Sequence, residues 1–133
     1  MKKNKEAYLN YVCPNCWNTL DKCICNLFPP YHLILIDQGI QEHIRVLNNK
    51  GYHTIGCCEG HRDVCISTYI SFAQDYFTVE IELPKGFIYN ANKRIIVHEY
   101  KSRNLTKDEF EEEKSQHIER LLLWCRKLPD LKC

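Results

Sequence analysis

The chain has 133 residues, enough for one domain and too few for two full ones. Hydrophobic residues make up 44% of it, aromatics 11% and charged residues 26%, a composition that excludes a disordered or fibrous chain. A formal net charge of +1 supplies no global field towards nucleic acid or an anionic membrane, and no apolar run approaches the roughly 20 residues of a membrane span. Nine cysteines are an odd number for a disulfide framework, and no hydrophobic segment follows the basic Met1–Lys5. A reducing, cytoplasmic setting is therefore expected, where clustered cysteines more often hold metal.

The first such cluster is Cys13-Pro14-Asn15-Cys16, followed by Cys23-Ile24-Cys25. A C-x-x-C turn lets two thiolates reach one ion from a tight knuckle, and zinc asks for four such ligands in a tetrahedron. The segment resembles zinc-ribbon and rubredoxin-type knuckles, although Trp17 stands where a knuckle commonly has glycine and the second pair is a tighter C-x-C. Cys13, Cys16, Cys23 and Cys25 are the expected ligands of one structural zinc ion, since four thiolates close the site. A redox dithiol or unliganded thiols are the alternatives. Pro29-Pro30 then makes a stiff linker.

Tyr31 to Ile36 is a continuous apolar run bounded by Asp37, which suits a buried strand. Asp37 is positioned to cap a helix carrying Ile40, Ile44 and Leu47, with Gly51 as its left-handed stop. His43 on that helix reads as a surface histidine. Tyr52 to Cys57 gives a second strand, and strand–helix–strand with short connections predicts a right-handed parallel crossover. From Val64 the pattern alternates: Ile66, Thr68, Ile70 and Phe72 share one face. Phe77, Val79, Ile81 and Leu83 alternate in turn, predicting an antiparallel hairpin about Gln74-Asp75. A further strand is expected over Arg94–Tyr100. Thr106-Lys107-Asp108-Glu109 is a capping box opening a helix with Phe110, Ile118, Leu121, Leu122, Cys125 and Leu128 on one stripe, closed by Pro129.

The stretch Gly56-Cys57-Cys58-Glu59-Gly60-His61-Arg62-Asp63 gathers two thiols, carboxylates, an imidazole and a guanidinium in one connection. A turn needs the glycines but not the rest. Four roles fit it. Gly56 and Gly60 let backbone approach a ligand while His61 and Arg62 donate to phosphate oxygens. Cys57 or Cys58 with His61, a C-x-x-H spacing that Cys65 can join, suits a metal. A thiolate beside His61 or Arg62 suits nucleophilic catalysis, though no third member of a triad is visible. The last is a plain turn with buried thiols. If both cysteines are in the strand they face opposite ways, so one of them belongs to the core.

Leu47-Asn48-Asn49-Lys50-Gly51-Tyr52-His53-Thr54-Ile55-Gly56-Cys57-Cys58-Glu59-Gly60-His61 resembles small proteins of Gram-positive bacteria and their phages that share an LNxKGYxTxxCCxGH pattern, over roughly residues 33–72. Some of these carry a cysteine-rich N-terminus. A fainter similarity is to the wybutosine-synthesis tRNA methyltransferase family, whose SSCSGR follows a comparable strand; here the serines are absent and the segment ends in His61. The first resemblance implies a phage counter-defence protein that sequesters a signalling nucleotide.

The expected architecture is α+β, a mixed sheet in the order β-α-β-β-β-β-α behind a small N-terminal zinc-knuckle lobe. Residues 1–30 form the lobe and linker, and 31–133 the α+β ligand-binding domain. The expected function is non-enzymatic binding of a small anionic, nucleotide-like ligand. Gly56, Cys58, Glu59, Gly60, His61 and Arg62 provide its contacts, and Lys93, Arg94 and Arg103 added charge. The alternatives are a nucleotide- or tRNA-directed transferase, a metal-assisted hydrolase, or a zinc-knuckle adaptor using Trp17 and Lys22. Zinc is the expected cofactor, nucleic acid and membrane are not expected partners, and a homo-oligomer is an open assembly.

Overall fold

Two helices and two antiparallel sheets give the chain its α+β class in a computed structural model that describes residues 9–19, 22–23, 34–62, 66–77, 81–100 and 105–131. Cys25, Cys65, Arg103 and the Pro29-Pro30 linker lie outside these residues. Strand β1 (Leu9–Val12) pairs antiparallel with β2 (Ile34–Asp37), placing Val12 opposite Ile34 and Leu9 opposite Asp37. A 3-10 turn (Gln38–Ile40) leads into α1 (Gln41–Asn49), then β3 (Thr54–Cys58) and β4 (Ser67–Phe72). Strands β5 (Ile88–Asn90) and β6 (Ile95–Glu99) precede the long α2 (Lys107–Lys127). The second sheet runs β3-β4-β6-β5.

The expected crossover divides. Segment β1 occupies the edge of β2, so β2 and β3 sit in different sheets, and every strand pairing among the described residues is antiparallel. The β1–β2 pairing also spans the 30/31 boundary, and Val12, fully buried, belongs to the main core. The alternation in β4 holds: Thr68, Ile70 and Phe72 are buried. Among the described residues it pairs with β3 and β6; the expected hairpin partner over Phe77–Leu83 runs through residues 78–80, which lie outside them. Phe77 packs its ring among Tyr52, Phe72, Tyr89 and Trp124, an aromatic cluster that buries it. The short β5 gave no clear alternation in the sequence.

Ile36, Ile40, Ile44 and Leu47 meet Ile70, Ile96, Leu121 and Cys125 in the core, with α1 lying on α2. The capping box is formed in both directions, Thr106 with Glu109. At the other end of α2, Lys50 Nζ donates to the carbonyls of Cys125, Arg126 and Leu128, satisfying acceptors the helix leaves over. Gly51 has the left-handed φ of 100° expected after α1. His43 is a correction: it is buried, and its Nε2 donates to Ile118 O at 2.7 Å. His43 lies on the side of α1 that packs against α2, while its neighbours Glu42 and Arg45 stay partly exposed. None of the described helices is long and apolar enough to cross a membrane.

Candidate metal centre

Asp37 does not cap α1; no side-chain cap bond forms there. The 3-10 turn intervenes, and the carboxylate turns instead to the end of β3. Its Oδ2 accepts the Glu59 N–H at 2.9 Å and lies 3.2 Å from His61 Nε2. Cys57 and Cys58 do face opposite ways. Cys57 packs against the core, while Cys58 Sγ, one carboxylate oxygen of Asp37 and a ring nitrogen of His61 all lie within 4.8 Å of one another. A thiol, a carboxylate and an imidazole converging from two strand ends form a three-ligand set, the layout that leaves a zinc-type ion one open position.

The turn itself is built from Gly60, whose φ is +101°. A Cβ there would meet Thr68 Oγ1 and Tyr100 Cε2 at 3.2 Å each, so glycine is needed for both conformation and space. Gly60 N–H donates to Cys58 Sγ at 3.4 Å. Behind the turn, Thr68 Oγ1 donates to Glu59 O at 2.7 Å and accepts from Tyr100 O–H at 2.6 Å. Those bonds fix the backbone between Cys58 and His61, as metal ligands require of their surroundings.

Glu59 completes the chemistry. It is buried, its carboxylate oxygen Oε2 sits where a side chain at Gly39 would be, only 1.9 Å from a Cβ built there, and Lys114 Nζ is 3.8 Å away. Burial pushes its carboxyl above the ordinary value; the Lys114 ammonium opposes this and the Asp37 carboxylate adds to it. The same two carboxylates, after burial, push the Cys57 thiol up to about 12. Cys57 is held there as the thiol, and the thiolate a nucleophile needs is disfavoured.

Of the residues expected at an anion site, Cys58, Glu59, Gly60 and His61 come together, with Arg62 exposed beside them. Gly56 lies within β3, where a Cβ would come 2.8 Å from Ser71 Oγ; it serves strand approach across the bulge. Lys93 and Arg94 are on the wrong end of the sheet. They precede β6 where Ile95 pairs with Ser71, whereas the loop adjoins the end where Glu99 pairs with Ser67. Asp37 is the residue the sequence placed in another role. In the N-terminal segment Cys13, Cys16 and Cys23 also lie within 4.8 Å of one another and can hold a metal. Asn15 N–H donates to Cys13 Sγ at 3.4 Å, and Trp17 adopts φ 64°, the left-handed conformation for which a knuckle normally uses glycine. Trp17 is half-buried and packs against the core. Comparison with protein-family models, with curated proteins and with solved structures found no match.

Proposed function

We propose that the chain is a metal-assisted hydrolase of small anionic substrates, with a working zinc-type ion held by Asp37, Cys58 and His61 and a separate structural zinc in the N-terminal knuckle. The observation that carries the proposal is the convergence of Asp37 with Cys58 and His61 at a loop that Glu59 also lines. Two carboxylates attract a cation and repel an unaccompanied anion, and Lys93 and Arg94, at the far end, do not offset them. A divalent ion held by Asp37, Cys58 and His61 would supply Lewis acidity for a substrate oxygen and lower the pKa of a water. Glu59, adjacent to Cys58 in the chain and with its carboxyl raised above its ordinary value by burial, would be the group to take that water's proton and pass it to the leaving group. Lys114, held by Gly60 O at 3.1 Å, places positive charge beside the same turn. Nucleotide-like phosphoesters are the first substrates to test, following the resemblance to small phage proteins. Cys25, which the sequence offers as the knuckle's fourth thiolate, lies outside the described residues.

The test is incubation of zinc-loaded protein at catalytic amounts with a pool of mono-, di- and cyclic nucleotides, analysed by mass spectrometry. A new product that disappears in Glu59→Gln, with zinc content unchanged, supports the proposal; removal of a general base costs about 10²- to 10⁴-fold. Nucleotides retained stoichiometrically and recovered intact would replace it with the binder reading.

A further inference from the structure

A third group of ligating side chains lies between β6 and α2, outside the loop and the knuckle. His98, Glu113 and His117 bring one imidazole nitrogen each and a carboxylate oxygen within 4.8 Å of one another. Glu113 and His117 share a helix face by their i, i+4 spacing. The tautomers follow from the backbone. His98 Nδ1 is 2.7 Å from Gly86 O, and His117 Nδ1 is 2.8 Å from Glu113 O. A carbonyl only accepts, so each Nδ1 carries the hydrogen, and Nε2 is the nitrogen left to offer a lone pair to a metal. This is the orientation that backbone carbonyls impose on metal-ligating histidines.

The rings are stacked, with centroids 3.7 Å apart and planes 18° from parallel. His98 Nε2 is buried and has no hydrogen-bond partner among the described residues; the nearer Glu113 oxygen is 3.9 Å from it. His117 is nine-tenths buried. Gly86 allows its carbonyl this approach: a Cβ there would stand 2.9 Å from His117 Nε2 and 3.2 Å from His98 Nδ1. A buried acceptor without a donor is costly, and a carboxylate beside it adds repulsion. One cation bound there would satisfy the group. A tetrahedral ion with ligands at about 2.1 Å sets donors about 3.4 Å apart and ring centroids about 5 Å apart, so the two imidazoles would part from their 3.7 Å stack to share it.

We propose that His98, Glu113 and His117 form a further divalent transition-metal site of zinc type, clamping β6 to α2. Two imidazoles and a carboxylate without thiolate suit Zn²⁺ and leave a coordination position for water. The probe is Zn²⁺ added to the metal-free full chain, with ¹⁵N-labelled histidine followed by NMR and bound zinc counted by equilibrium dialysis. The Nε2 signals of His98 and His117 should both shift, and His98→Gln/His117→Gln should bind one equivalent less than the wild type. Glu113→Gln, altering a partly exposed side chain, should keep the fold and weaken this equivalent by at least about 10-fold. If the double variant does not fold, Glu113→Gln decides alone. Equal zinc content and affinity, with both Nε2 signals unmoved, would overturn the proposal. The knuckle and loop ligands are intact in these variants, so failure here is read separately from failure of the Asp37 site.

Discussion

Replacing Asp37 with Asn separates a metal ligand from a structural hydrogen-bond acceptor. The amide keeps the shape and one oxygen to accept the Glu59 N–H, but loses the charge. In metal-free protein two effects oppose. A charge-assisted bond becomes a neutral one, costing about 1 kcal/mol. Repulsion between the buried Asp37 and Glu59 is relieved, and the Glu59 carboxyl falls back towards its ordinary value. Net stability should therefore change by no more than about 1 kcal/mol. With zinc the result differs. At a zinc concentration 100 times Kd, the loop site stabilises the wild type by about 2.7 kcal/mol. A 100-fold loss of affinity leaves RT ln 2, about 0.4 kcal/mol, so about 2.3 kcal/mol is lost. For a chain of this size that is roughly 7 °C in Tm. Thermal unfolding with zinc and with chelator, on wild type and Asp37→Asn, measures the increment, and the knuckle's contribution cancels between the two proteins. Equal zinc increments would show that Asp37 only holds the loop backbone.

The knuckle variant Cys13→Ser should lose one zinc and, with zinc at several hundred times Kd, about 3–4 kcal/mol of stability. The loss reaches the main core because the buried Val12 adjoins Cys13; unchanged zinc content by elemental analysis would refute it. His43 should make the protein acid-sensitive. Its Nε2 donates to Ile118 O, its Nδ1 is buried without a partner among the described residues, and burial lowers its pKa from 6.5. A depressed histidine leaves stability intact above 6.5, and that contribution is lost as pH falls from there through the lowered folded value. The slope is at most about 1.4 kcal/mol per pH unit for one proton. Urea unfolding from pH 7.5 to 5 should show this slope reduced in His43→Leu, and parallel pH profiles would refute it.

The helices and the central strands were legible because their signals are local. Thr106 and Glu109 sit at the spacing that closes a capping box, Gly51 stands where the helix must stop, and Thr68, Ile70 and Phe72 alternate. Pairing was less legible, since nothing local says that Leu9–Val12 will take the edge of Ile34–Asp37 and deny β3 a parallel neighbour. The histidines show the same limit. His43, His98 and His117 stand in sequence as isolated polar residues, and which carbonyl each faces is set by the fold: Ile118 on α2 for His43, Gly86 for His98 and the preceding turn of α2, Glu113, for His117.

Asp37 was the hardest residue to assign, for a physical reason. An acidic residue between an apolar run and an amphipathic pattern has two uses, capping the coming helix or serving a loop at the end of a neighbouring strand. The first is a one-body property of its own segment. The second depends on where β3 ends, some twenty residues on, and on the 3-10 turn that moves the helix start beyond Asp37's reach. Gly39 is the local sign that distinguishes them. Inside that turn, a side chain would occupy the position of the Glu59 carboxylate, so the glycine marks where the two strand ends converge. The loop Cys58–His61 supplies chemistry by composition alone, but gains a third potential metal ligand only because β2 ends in a carboxylate beside it.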